Sequence, residues 1–133
     1  MVNFVLIVDD DAEMRRAVAA SLKDVCALRE AAGGAQALEM MEDGPSLAIL
    51  DLSMPGTGGL DVLRAMRNAA LILPVLVLTG EYDMETAKRA LDLGATAYLT
   101  KPFDVAFLRA EVRRLLQIER RAEDGGRPWR VAA

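Results

Sequence analysis

Short apolar runs alternate along this chain with longer segments in which apolar residues recur every three or four positions, and the alternation repeats about five times. The runs are Phe4–Val8, Val25–Leu28, Leu47–Leu50, Val75–Leu78 and Ala97–Leu99. The first, third and fourth are nearly unbroken in apolar residues, as strands covered on both faces must be. Between them the spacing predicts helices. Met14, Ala17, Val18, Ser21 and Leu22 fall on one buried stripe of a first helix, and Leu108, Val112, Leu115 and Leu116 repeat that spacing in the last. Further helices are expected near 35–42, 60–68 and 83–93. Gly33-Gly34, Gly44-Pro45, Gly56 to Gly59, Pro74 and Gly94 interrupt the pattern at the expected boundaries. This is the rhythm of a parallel sheet with crossover helices. After about Arg121 the periodicity stops, and RAEDGGRPWRVAA, with Trp129, reads as a tail or linker stub. The expected division is a folded domain over 1–122 and a tail over 123–133.

Polar residues of particular kinds fall where these strands end. Asp9, Asp10 and Asp11 follow the first run, Asp51 the third, Thr79 the fourth, and Lys101 comes just after the fifth. Open parallel sheets bind ligands beyond the carboxyl ends of their strands, where strand order reverses. In a five-stranded sheet of order 2-1-3-4-5 that point lies between the first and third strands, which carry Asp9, Asp10 and Asp51. Two like charges about 4 Å apart repel by roughly 4 kcal/mol at an effective dielectric near 20, so such a cluster needs positive compensation. Mg²⁺ suits carboxylate and carbonyl oxygens, and Lys101 supplies a second positive charge. Plainer readings stand beside these. Asp10 or Asp11 could cap the first helix, and Asp51 could serve the turn SMPGTGG. Thr79 could satisfy a backbone group, and Lys101 could be a solvated charge. Their convergence on one sheet edge, with the right signs, favours a site.

Composition narrows the chemistry. Among 133 residues there is no histidine, which excludes histidine metal ligands, Ser-His-Asp triads and phosphohistidine on this chain. Carboxylates, hydroxyls and lysines must carry any reaction. The net charge of −4 argues against direct nucleic-acid binding. The single Cys26 cannot form an internal disulfide. The start MVNFVLIVDDD lacks the features of a secretory signal, and no apolar stretch nears the roughly 18 residues of a membrane span. A cytoplasmic location without membrane contact is expected.

The strings LIVDDD, AILDLSMPGTGGLD, VLTG and YLTKPF, in this order and spacing, resemble the receiver domain of bacterial two-component response regulators from about Phe4 to Arg121. The resemblance implies a flavodoxin-like α/β receiver fold, a five-stranded parallel sheet with five flanking helices. It implies that Asp51 accepts a phosphoryl group from a phosphohistidine on a sensor histidine kinase or phosphotransfer protein. Asp9 and Asp10 would hold Mg²⁺, Asp10 more directly, together with Asp51 and the backbone carbonyl of Ser53. Lys101 would pair with the phosphoryl oxygens. Thr79 would move onto the phosphate, and Tyr98 would turn inward behind it. The Lys101–Pro102 bond is expected to be cis. Such a module is a switch, not an enzyme in its own right: it catalyses only its own phosphorylation and dephosphorylation. Its output is a downstream protein partner or a fused domain, and a homodimer through the fourth helix, fifth strand and last helix is one arrangement the resemblance admits.

Some positions depart from the pattern. Thr96-Ala97 stands where receivers of a large winged-helix class usually have two acids, and Ser46 replaces a frequent acid. Ser53 and Glu81 occupy positions that tune phosphate loss in the family. Arg109, Arg113, Arg114, Arg120 and Arg121 make the last helix basic, as a solvated face or as a contact for an acidic partner. A Mg²⁺-dependent phosphohydrolase with Asp51 as nucleophile is the rival reading. Such enzymes often carry an acid two residues after the nucleophile, where this chain has Ser53, and no cap segment exists here. A dinucleotide site would need glycines where the first strand meets three acids.

Overall fold

The computed structural model describes residues 3–80 and 84–123, and for 84 and 118–123 the backbone only. Glu81 and the tail with Trp129 lie outside the described residues, as do the side chains of Arg120 and Arg121. Strands and helices alternate: β1 (Phe4–Val8), α1 (Ala12–Leu22), β2 (Ala27–Ala31), α2 (Gly34–Met40), β3 (Leu47–Asp51), α3 (Gly59–Asn68), β4 (Val75–Thr79), α4 (Met84–Asp92), β5 (Ala97–Thr100) and α5 (Val105–Glu123). The strands form one parallel sheet of order β2-β1-β3-β4-β5.

Alternation along the strands sorts the core into two layers. Leu6, Val8, Ala48, Leu50, Val75 and Val77 pack with α2, α3 and α4 through Ala37, Val62, Leu63, Met66 and Ala90. Val5, Ile7, Leu47, Ile49, Leu76 and Leu78 pack on the other face with Val18, Leu22, Leu108, Val112 and Leu115 of α1 and α5. The three central strands are buried at every position, which is why their sequences are apolar runs interrupted only at the last residues of β3 and β4, Asp51 and Thr79.

Two expectations are corrected. The second strand is Ala27–Ala31, not Val25–Leu28. It is a sheet edge, and its solvated Arg29 and Glu30 carry no apolar signal, whereas Val25 and Cys26 are the half-buried approach to it. The buried face of α1 is narrower than the stripe suggested. Val18 and Leu22 are buried and Met14 partly so, but Ala17 is exposed, and the half-buried Ser21 turns its hydroxyl back onto the Ala17 carbonyl at 2.8 Å. Asp11 is the N-cap of α1, accepting from the amides of Glu13 and Met14 at 2.9 and 3.4 Å. The Lys101–Pro102 peptide is cis. Among the described residues no helix is long and apolar enough to cross a membrane.

Candidate functional site

The reversal of strand order falls between β1 and β3, and the acids of the sequence meet there. Asp9 leaves β1 with its amide still bonded to the Ala31 carbonyl of β2 at 3.2 Å. Asp51 is the last residue of β3, paired with Leu78 of β4. Both are about 3% exposed, whereas Asp10 stands in solvent. One carboxylate oxygen from each of Asp9, Asp10 and Asp51 lies within 4.8 Å of the others. The three oxygens are near enough to share one cation, and carboxylate oxygens suit a small hard one. Hard oxygen ligands without histidine or cysteine exclude a preference for softer metals.

Lys101 is carried to the acids by the ladder beside it. Its amide bonds the Thr79 carbonyl at 2.7 Å, one step beyond β5. Its Nζ then lies 3.1 Å from Asp9 Oδ2 and 3.5 Å from Asp51 Oδ1. Asp9 and Asp51 thus share one ammonium, with the Asp10 carboxylate beside them, and the cluster keeps an excess of negative charge. Burial, and after it the charge of Asp9, pushes the Asp51 carboxyl above its ordinary range, although the Ser53 amide and Lys101 pull the other way. Lys101 feels burial most, which disfavours its charge, but its hydrogen bond to Asp9 and the nearby carboxylates outweigh that and hold its pKa up. The Ser53 amide donates to Asp51 Oδ1 at 3.1 Å, and the Asp11 amide to Asp9 Oδ1 at 2.9 Å. Thr79, 2% exposed, ends β4 beside the strand of Asp51, and Tyr98 is half-buried among the residues on the α2–α4 side of the sheet.

Sequence reasoning missed two supports of this site. Gly59 opens α3 hard against β3: a Cβ there would lie 2.5 Å from the Asp51 carbonyl oxygen and 2.7 Å from the Cα of Leu52. Its place in a glycine-rich turn hid that packing role. Arg15 donates to the Asp9 carbonyl at 2.7 Å, and nothing in an α1 sequence distinguishes it from the solvated Arg16 next to it. A cavity of about 230 Å³, lined by residues such as Leu63, Met66, Ile72 and Leu91, opens at the amino ends of β4 and β5, the far edge of the sheet from the acids. Its walls are mostly apolar and include none of the clustered acids.

The response regulator receiver domain family matches residues 5–113. The chain belongs to that family. Receivers are the response half of two-component systems, which work with histidine kinases and output domains. The receiver is 38% identical over 122 residues to response regulator MprA of Mycobacterium ulcerans, covering 90% of this chain and 53% of the relative. The Mycobacterium leprae protein of the same name is 39% identical over 115 residues, 85% of this chain and 50% of that one. The chain spans about half the length of the curated relatives it matches. Among solved structures, the chemotaxis protein CheY4 of Vibrio cholerae superposes with a TM-score of 0.78 at 30% identity, covering 86% of this chain and 99% of that one. NtrX of Brucella abortus superposes at 0.84 and 30% identity, over 94% of this chain but only 29% of that one. The same receiver fold therefore fills almost one of these chains and forms a minor part of the other.

Proposed function

We propose that this receiver takes a phosphoryl group on Asp51 from the phosphohistidine of a sensor histidine kinase or phosphotransfer protein, with Mg²⁺ held by Asp9, Asp10, Asp51 and the backbone carbonyl of Ser53. The convergence of Lys101 Nζ on Asp9 and Asp51, at 3.1 and 3.5 Å, carries the reading. It sets a positive charge beside a buried, crowded nucleophile. A carboxylate oxygen of Asp51 attacks phosphorus, an O–P bond forms, the P–N bond breaks, and imidazole leaves on the partner. The chain contains no histidine, so the donor must come from outside it. Phosphoryl transfer asks a protein for position and charge neutralisation more than covalent chemistry. When bound, Mg²⁺ supplies part of that neutralisation. Lys101 supplies the rest, and the Ser53 amide holds the Asp51 carboxylate in place.

Thr79 and Tyr98 are the proposed reporters. Phosphate on Asp51 offers the Thr79 hydroxyl a charge-assisted hydrogen bond, stronger than a neutral one. Its movement frees space for Tyr98, and the face of α4, β5 and α5 changes with it. That face then meets a downstream protein or a fused output domain. The domain itself runs to about residue 122, with the rest as tail or linker, and it works in the cytoplasm.

Mass measurement after incubation with acetyl phosphate and Mg²⁺ tests the acceptor. The wild type should gain one phosphoryl group and Asp51→Asn none; equal labelling of both sinks the assignment. Backbone NMR with beryllofluoride tests the reporters. Thr79→Ala should still bind the mimic but lose the shift changes around Tyr98, and identical changes in both proteins would show the coupling to be wrong.

A further inference from the structure

We propose that Arg15 and Glu30 form a latch that orients the Asp9–Asp10 peptide and thereby sets how tightly the acids bind a divalent cation. The idea rests on the reading of Asp9, Asp10 and Asp51 as that cation's site. In a strand, the N–H and C=O of one residue point to the same neighbour. The amide of Asp9 makes the last bond to β2, at the Ala31 carbonyl. Its carbonyl, on that same side, is taken by Arg15 Nη1 at 2.7 Å. The same guanidinium donates through Nε to Glu30 Oε1 at 3.0 Å, on the edge strand opposite Ile7. Arg15 is itself anchored by its amide, which bonds the Asp11 carbonyl in the first turn of α1 at 3.0 Å. Its side chain is 17% exposed, that of Glu30 43%.

The mechanical consequence follows from the planarity of the peptide bond. The Asp9 carbonyl and the Asp10 amide share one plane, so holding that oxygen fixes the direction in which the chain enters Asp10. Asp9 is already held through its side chain by the Asp11 amide and Lys101. Asp10, exposed, depends on its backbone for its place. Arg15 is therefore a positioning residue, touching no carboxylate of the cluster, and Glu30 keeps its planar fork aimed. Charge alone predicts the opposite sign. A guanidinium near the acids repels a cation, so if charge were its whole effect, removing it would tighten binding.

Titration calorimetry with Mg²⁺ on the wild type, Arg15→Gln, Arg15→Lys and Glu30→Gln decides between them. Loss of such outer supports typically weakens metal binding by about tenfold or more, and that is expected for both Arg15 variants, lysine included, because it keeps the charge but not the fork. Glu30→Gln should show a smaller loss of the same sign. In the metal-free protein, amide exchange at Asp11 should speed up in Arg15→Gln, a readout that needs no bound cation. Unchanged or tighter Mg²⁺ binding in Arg15→Gln overturns the latch. Should thermal melts show Arg15→Gln unfolded, Glu30→Gln decides alone, and wild-type affinity in it overturns the proposal. If the wild type takes up no Mg²⁺, or Asp10→Asn binds it as tightly, the cation site itself falls and the latch with it.

Discussion

Asp51 and Asp24 are both aspartates with a basic partner, and the fold treats them in opposite ways. Asp24 lies just past α1, exposed, in a two-pronged pair with Arg109 of α5 at 2.6 and 3.0 Å, and the same guanidinium reaches the Ser21 carbonyl. That side-chain hydrogen bond, with the adjacent charge, lowers the Asp24 pKa from 3.8 to about 2. Asp51 is buried, shares its ammonium with Asp9, and has its carboxyl pushed up instead. At the α1–α5 seam charge is balanced one to one and water screens what remains. At the carboxyl end of the sheet the balance is left open. The function proposed for this site, taking up a cation and a phosphoryl group, requires such uncompensated charge, and the surrounding fold bears the cost.

The largest effect expected from disturbing this contrast comes from packing. If helix contacts and not ion pairs hold the acids together, Gly59→Ala should destabilise the domain by about 1–3 kcal/mol, since its methyl meets backbone that cannot yield. Urea denaturation measures that loss, and slower labelling by acetyl phosphate should accompany it. A native midpoint would mean that α3 does not press Asp51 into place. Asp51→Asn should go the other way. Asp51 faces two carboxylates within 4.8 Å and one ammonium at 3.5 Å. Neutralising it without Mg²⁺ should stabilise the fold by on the order of 1 kcal/mol, the surplus of repulsion and burial over attraction. A lower melting temperature would show that Lys101 balances the acids by itself.

The smallest effect belongs to the exposed pair. Asp24→Asn should lower stability slightly at neutral pH. Because the folded-state pKa of Asp24 is depressed, its contribution is complete above 3.8 and vanishes as pH falls towards about 2. The gap between wild type and variant, followed by thermal melts, should therefore close over that interval. Asp51 has the opposite sign: its raised pKa penalises the fold at high pH, and the penalty fades as pH falls through the folded value. A gap at Asp24 that widened in acid would erase the distinction between the two carboxylates.

What the sequence disclosed follows the same division. The central strands announce themselves because burial on both faces keeps them apolar up to their carboxyl ends, where Asp51 and Thr79 stand, and Phe4–Val8 was readable to the residue. The edge strand was displaced because Arg29 and Glu30 sit in water, with Arg29 stacked on Phe4 at 4.9 Å and paired with Asp43. Solvated strand and solvated loop look alike in composition. Asp9, Asp10, Asp51 and Lys101 could be gathered into one site because each stands at a strand end, and topology does the rest. Arg15, Glu30 and Gly59 could not, since their importance lies in which backbone atom they meet across the fold.

The Lys101–Asp9 bond joins residues 92 apart in the chain. The two ends meet through the sheet, in which β3 and β4 stand between β1 and β5. Only with β5 in the sheet does the Lys101 ammonium reach the acids at the ends of β1 and β3. Completing the sheet and compensating its acids are therefore one event.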